Sequence, residues 1–222
     1  MKTIRRHTWD VSVDQAKRIQ EKLSCFVINK DAFQKIEKVQ GIGIVFSKDK
    51  VSIACVNSSF PQLKILNKIV EKRDYNFPYT PGLFAFSVGP AILSVLDKIE
   101  KPDLVIFPGR GVDHPRKLGL ASHLGVLLDI PTIACSKRPL WRNHPEPSVE
   151  KGAHVFMEDK DRKLIGAVVR TKDKLKPIYV TIGHKISIQT AVQIILECSA
   201  NYRIPKPLRY AQILAKRLAS SI

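Results

Sequence analysis

The chain has 222 residues and a mass of 25.0 kDa, which fits one domain spanning 1–222, since domains commonly run to about 100–150 residues. With 44% hydrophobic and 26% charged residues it is not a disordered chain. The 37 Lys and Arg outnumber 20 Asp and Glu for a formal net charge of +17, an excess that favours phosphate backbones or another polyanion and is silent about catalysis.

In chain order, residues 12–26 begin with a Ser cap and Gln15 three positions later. Ala16, Ile19, Leu23 and Phe26 then recur at helical spacing, predicting a helix packed across a sheet. Segments 41–46 and 51–57 are rich in Ile and Val and flank the turn SKDK, and 63–71 supplies a third strand of an early meander. FPYTPG at 77–82 breaks that pattern through its prolines and its Pro-Gly turn. A helix is expected at 90–99, a buried strand at 104–107, a helix at 118–128 and a buried strand in TIAC. Strands at 164–169 and 178–182 follow, with a surface excursion at 141–152. A helix at 187–198 comes next and, after the interruption Pro205-Lys206-Pro207, a basic amphipathic helix at 208–218. Early strands followed by alternating strand and helix predict an α/β fold, a mixed sheet covered by helices.

Cys25, Cys55, Cys135 and Cys198 form neither a CxxC pair nor a compact zinc spacing, so free thiols, buried where the context is apolar, are expected. The basic N-terminus has no apolar run after it and no stretch reaches spanning length, predicting an intracellular protein of cytoplasm or nucleus with no membrane partner. No motif points to dimerisation, and a monomer is expected.

FPYTPGLFAF at 77–86 and the run from PDLVIFPGRG to TIACSK at 102–137 are joined by VVRTK at 168–172 and by GHKIS from Gly183. In this ordered set the chain resembles the endonuclease V family over nearly its whole length. The resemblance implies an RNase H-like fold and action on deaminated, inosine-containing DNA or RNA. It also implies three carboxylates around Mg²⁺ or Mn²⁺, which would activate water and stabilise phosphoryl-transfer charge. The three positions hold Gly43, Val88 and Pro108, and none of these side chains offers an oxygen. The expectation that follows is a divergent, catalytically inactive relative with no metal and no cofactor.

Other matches imply binding. Lys137 in ACSK and His184 in TIGHK match a lysine and a histidine of the family site, as phosphate contacts or, in isolation, as surface charge and a structural hydrogen bond. Tyr79 matches the wedge that stacks beside a distorted nucleotide, with Pro81 next to it; packing against Pro81 is the plainer alternative. Gly82, Leu83, Gly109 and Gly111 match the base pocket, although tight turns would also explain the glycines. Arg110, His114, Arg116 and Lys117 form a basic loop suited to phosphate. Lys206, Arg209, Lys216 and Arg217 extend that footprint, and Arg142 stands at the pocket rim.

The first expectation is therefore a non-catalytic protein that binds deaminated or distorted DNA or RNA. The alternatives are an active inosine-specific endonuclease in which another acid restores the metal site, Asp113 being the nearest candidate while Asp49 and Asp97 stand too far along their elements, and a protein-interaction module.

Overall fold

A computed structural model describes residues 3–4, 6–75, 77–139, 141 and 144–221. The Ile- and Val-rich segments form β1 (Lys38–Phe46) and β2 (Lys50–Ser59), which pair antiparallel through the Ser47–Lys50 turn, and β3 (Ile65–Asp74) completes the meander. β4 (Leu104–Pro108) and β5 (Thr132–Ser136) add parallel to β1, each buried along most of its length, as short apolar runs in a covered sheet should be. β6 (His154–Glu158), β7 (Leu164–Val169) and β8 (Ile178–His184) extend the sheet antiparallel. The order is β3-β2-β1-β4-β5-β8-β7-β6, the mixed, helix-flanked sheet of an RNase H-like fold. β6 was not foreseen. It is a half-exposed edge strand whose pairing with β7, rather than an apolar alternation, makes it a strand.

α1 (Val13–Ser24) carries the predicted capping box between Ser12 and Gln15. It stacks on α3 (Leu120–Leu128) instead of crossing the sheet, with Leu23 packed against Leu118 and Val126. α2 (Phe84–Leu96) begins six residues before the predicted start at Pro90. The burial of Ala85 to Gly89 overrides the proline, whose missing N–H costs the helix one hydrogen bond. α2 and α3 cover one face of the sheet around Ile42, Val105 and Phe107. α4 (Ile188–Ser199) and α5 (Lys206–Ser220) cover the other. Pro205-Lys206-Pro207 does not precede α5 but opens it, because a proline in the first turn removes an N–H that has no helical partner.

α5 lies unusually close to β1. A Cβ on Gly41 would overlap the Pro207 carbonyl, and one on Gly43 would overlap the Ala211 carbonyl, so the two glycines form a trough that seats the helix backbone. Ala211 and Ala215 complete the contact with Ala54 and Val56.

The N-terminal segment is held on α2 and α3 by polar contacts. The Ile4 N–H donates to the Leu127 carbonyl (2.7 Å), and His7 Nε2 lies 2.8 Å from His123 Nε2. Trp9 stacks on His123 and fills the space above Gly89. Burial drives the His123 pKa down to about 3, and burial also lowers that of His7. The pair is therefore neutral, one ring donating to the other. Cys55, Cys135 and Cys198 are buried and Cys25 is exposed, all free. Among the described residues no helix is long and apolar enough to cross a membrane.

Two outcomes follow. Below its unfolded pKa of about 6.5, His123 gains a proton in the unfolded chain and not in the folded one. Stability is full above that pH and falls as pH drops from about 6.5 towards 3, by up to about 1.4 kcal/mol per pH unit for this group. Urea unfolding at stepped pH should show that decline, and His123→Phe should flatten it. Gly43→Ala forces α5 off β1 and should cost about 1–3 kcal/mol; an unchanged melting temperature by circular dichroism would show that the trough is not needed.

Candidate nucleic-acid interface

The parallel strands β1, β4 and β5 all end on one edge of the sheet, where chain reversals leave a crevice. Three adjoining hollows follow that edge. The first, about 360 Å³, lies between Tyr79, Gly82, Gly109, Arg110 and His114. Tyr79 and Gly109 also border the second, which continues past Phe46 and Phe84 to Pro108 and Arg138. Pro108 borders the third, about 440 Å³, with Lys137, Arg209, Gln212 and Lys216. The result is one continuous groove from a base-sized pocket to a cationic cleft.

The PYTPG turn is locked in place. Leu83 N–H donates to the Thr80 carbonyl (2.9 Å), and Gly82, in the left-handed region at φ +80°, closes a turn with Pro81 at its preceding corner. The Gly82 carbonyl accepts from Arg116 (2.9 Å) and from Gln20 (3.0 Å), while Gln20 Oε1 accepts from Arg116 Nε (2.6 Å). Arg116 is thus a clasp and not a phosphate contact. Leu83 is fully buried against Ala16 and Phe86, outside the pocket. Pro81 is exposed and borders none of the three hollows. Tyr79 is 67% exposed at the junction of two of them, placed for stacking.

The GRG loop is held equally tightly. Gly111 has no room for a side chain beneath the Ile182 carbonyl, and its N–H donates to Asp113 Oδ1 and Thr181 Oγ1, each at 2.9 Å. Gly109, at φ +101°, has open space where a Cβ would stand, so it keeps the pocket wall low. Asp113 is buried, its pKa raised by burial, and its carboxylate also accepts from Arg110 (3.1 Å). It therefore braces the loop, its oxygens committed to Gly111 and Arg110.

His114 is buried, with its pKa pushed down to about 4 chiefly by burial, so it enters the pocket wall as a neutral ring and adds no charge. Lys117 is paired with Asp159 (2.7 Å). His184 is corrected most. It pairs with Thr132 at the start of β5, roughly 15 Å from Lys137 beyond the other end at about 3.3 Å per residue. There it is buried, accepts from the Ile28 N–H (3.3 Å), and has its pKa lowered to about 4, mainly by burial. Lys206 faces the Tyr210 ring and Arg217 is exposed on α5, neither bordering the cleft. Arg142 lies outside the described residues.

The three implied ligand positions do not converge on a metal. Gly43 is covered by Ala211, Val88 sits on the buried face of α2 in the core, and only Pro108 borders the groove. Asp49 is exposed in the β1–β2 turn, and Asp97 caps the far end of α2, roughly 20 Å from its start at 1.5 Å per residue. Burial raises the Cys135 thiol to about 12, so it is protonated. Among the described residues no group of three His, Cys, Asp or Glu could hold a metal.

Sequence reasoning missed Gln20, a buried glutamine four residues from Ala16 on the apolar side of α1; a polar residue on that face was the available signal. It also missed Gln212, whose side chain donates to the Ile44 carbonyl at the groove floor (3.3 Å).

Residues 21–213 match the family model described as Endonuclease V. Over 205 residues, 92% of this chain and 90% of the relative, the sequence is 41% identical to Endonuclease V of Dictyoglomus thermophilum. The crystal structure of Endonuclease V from Streptomyces avermitilis is 31% identical, covers 95% of this chain and 94% of its own, and superposes with a TM-score of 0.88. An aspartate-to-asparagine variant of Ciona intestinalis Endonuclease V, in complex with a 23mer DNA containing an inosine followed by a ribo-adenosine, is 26% identical with a TM-score of 0.81, covering 94% and 98%. Likeness of this extent corrects the expectation of a divergent outlier drawn from Gly43, Val88 and Pro108: the chain belongs to the Endonuclease V family.

Proposed function

We propose that this protein is an active endonuclease that binds DNA or RNA containing inosine and cleaves its phosphodiester backbone. The observation that carries the reading is the 41% identity with the Dictyoglomus enzyme across 92% of the chain, and the inosine-bearing DNA of the Ciona complex supplies the substrate class. The same findings overturn the expectation of an inactive, purely binding relative. In this reading the flipped base enters the pocket beside Gly82 and Gly109, and Tyr79 stacks on the neighbouring base left behind. The strand then runs along the groove, where Lys137 meets a phosphate. A strand held this way meets the protein in cytoplasm or nucleus.

Family membership brings Mg²⁺ or Mn²⁺ with it, and this replaces the expectation of no cofactor. The ion would supply Lewis-acid stabilisation of the phosphoryl group. The side chains at 43, 88 and 108 do not fit it, so the ion is not held here by the carboxylates that the resemblance implies. What the chain's own residues do is orient the strand and place positive charge beside its phosphates.

A time course with end-labelled, single-inosine RNA and DNA should show cleavage with Mn²⁺ or Mg²⁺ that a chelator abolishes. Lys137→Ala should slow it roughly 10- to 100-fold, as expected for loss of one charge-stabilising donor. Strands left intact while binding is demonstrable would overturn the proposal. By fluorescence anisotropy on the same strands Tyr79→Ala should weaken binding about tenfold and Tyr79→Phe should restore it, stacking being worth about 1–3 kcal/mol per base. Equal affinity for Tyr79→Ala and wild type would remove the wedge role.

A further inference from the structure

The far end of the groove carries positive charge that no acid neutralises. Lys117, Lys185 and Lys98 are each paired with a carboxylate elsewhere on the surface, and Arg110 is paired with the buried Asp113 side chain at the pocket end of the groove. Among the described residues Lys137, Arg209 and Lys216 have no acidic partner, and all three border the same cleft of about 440 Å³. Arg209, Gln212 and Lys216 stand at i, i+3 and i+7, one face of α5, while Leu208, Ala211 and Ala215 face the sheet.

The cleft is also held in shape. Arg203 donates to the Lys137 carbonyl (3.1 Å) and to the carbonyls of Lys176 (2.7 Å) and Pro177 (2.8 Å), fixing the backbone that carries Lys137. The Arg209 guanidinium lies 4.5 Å from the centre of the Tyr202 ring, a stacking that leaves its edge donors available to an oxyanion. Gln212 ties the middle of the face to β1. A divalent cation would meet three like charges here and no carboxylate, whereas a phosphate would meet three opposite charges.

We propose that this cleft is a direct phosphate-binding site, in which Lys137, Arg209 and Lys216 hold a backbone phosphate of the bound strand without a bridging divalent ion. The inference rests on the nucleic-acid reading above for the source of the phosphate. It separates two properties of the site, since strand binding is then independent of divalent metal even where cleavage requires it.

The test is fluorescence anisotropy with a labelled single-stranded oligonucleotide containing one inosine, in EDTA and in Mg²⁺ at matched ionic strength, across a salt series. Affinity in EDTA should stay within about twofold of that in Mg²⁺. Arg209→Gln and Lys216→Gln should each reduce the slope of log affinity against log salt by about 0.7, the value for one phosphate contact on a single strand. Arg217→Gln, which removes an exposed charge from the same helix outside the cleft, should leave the slope unchanged. Circular dichroism melts confirm that each variant is folded. Binding that appears only with Mg²⁺, or slopes unaltered in both cleft variants, overturns the proposal. A protein that binds in EDTA with these slopes and never cleaves retains the cleft and loses the nuclease reading, whereas absence of binding under every condition removes both.

Discussion

The contact on which the site depends is the seating of α5 on β1. Gly41 and Gly43 let the helix backbone come down onto the strand where any side chain would hold it away. That approach brings Arg209, Gln212 and Lys216 to the ends of the parallel strands, beside Pro108 and Lys137. A carboxylate at position 43 and this position of α5 exclude each other. The missing acid and the basic cleft are therefore two aspects of one packing arrangement, because the helix occupies the space that a ligand at 43 would need.

The base-sized pocket depends on different forces. Its two walls are loops, which would be mobile if their polar groups were left to water, and each is fixed by a buried polar anchor. Gln20 and Arg116 satisfy the Gly82 carbonyl on one side, and Asp113 and Thr181 satisfy the Gly111 N–H on the other. Removing one member of such a set leaves a buried group unsatisfied, at about 1–3 kcal/mol, so the anchors act on binding through the shape of the pocket and not by touching the strand. Arg116 and Asp113 look like ligand residues by type, yet both serve the scaffold.

The sheet, its early meander and most helices were legible because their patterns are local: the Ile- and Val-rich segments of β1 and β2, short apolar runs in β4 and β5, and the Ser12 cap of α1. α2 was read too short because burial of Ala85 to Gly89 is a tertiary fact that Pro90 conceals. The site was only half legible. Tyr79, Gly109 and Lys137 could be named from motifs, and the structure brings them to one groove. Leu83 and His184 carry the right residue types at the wrong places, one facing the core and the other at the opposite end of β5. Side-chain direction and strand polarity separate them from the groove, and a motif specifies neither. The inference from three missing carboxylates to an inactive protein failed differently, since it weighed three positions against a likeness that runs through the whole chain.

Phosphodiester cleavage needs a strand held in place, charge stabilised at phosphorus and a proton taken from the attacking water. In the proposed reading the groove would provide the first through Tyr79 and the pocket, and Lys137, Arg209 and Lys216 are suited to the second. The third comes from none of the groove's described side chains. His114 is neutral in the pocket wall but so depressed, at about 4, that it is a weak base near neutral pH. Asp113 is committed to Gly111 and Arg110, and Cys135 holds its proton up to about 12. In the proposed reading recognition and charge stabilisation rest on α5 and the two anchored loops, while none of these groove side chains is placed or tuned to take the proton.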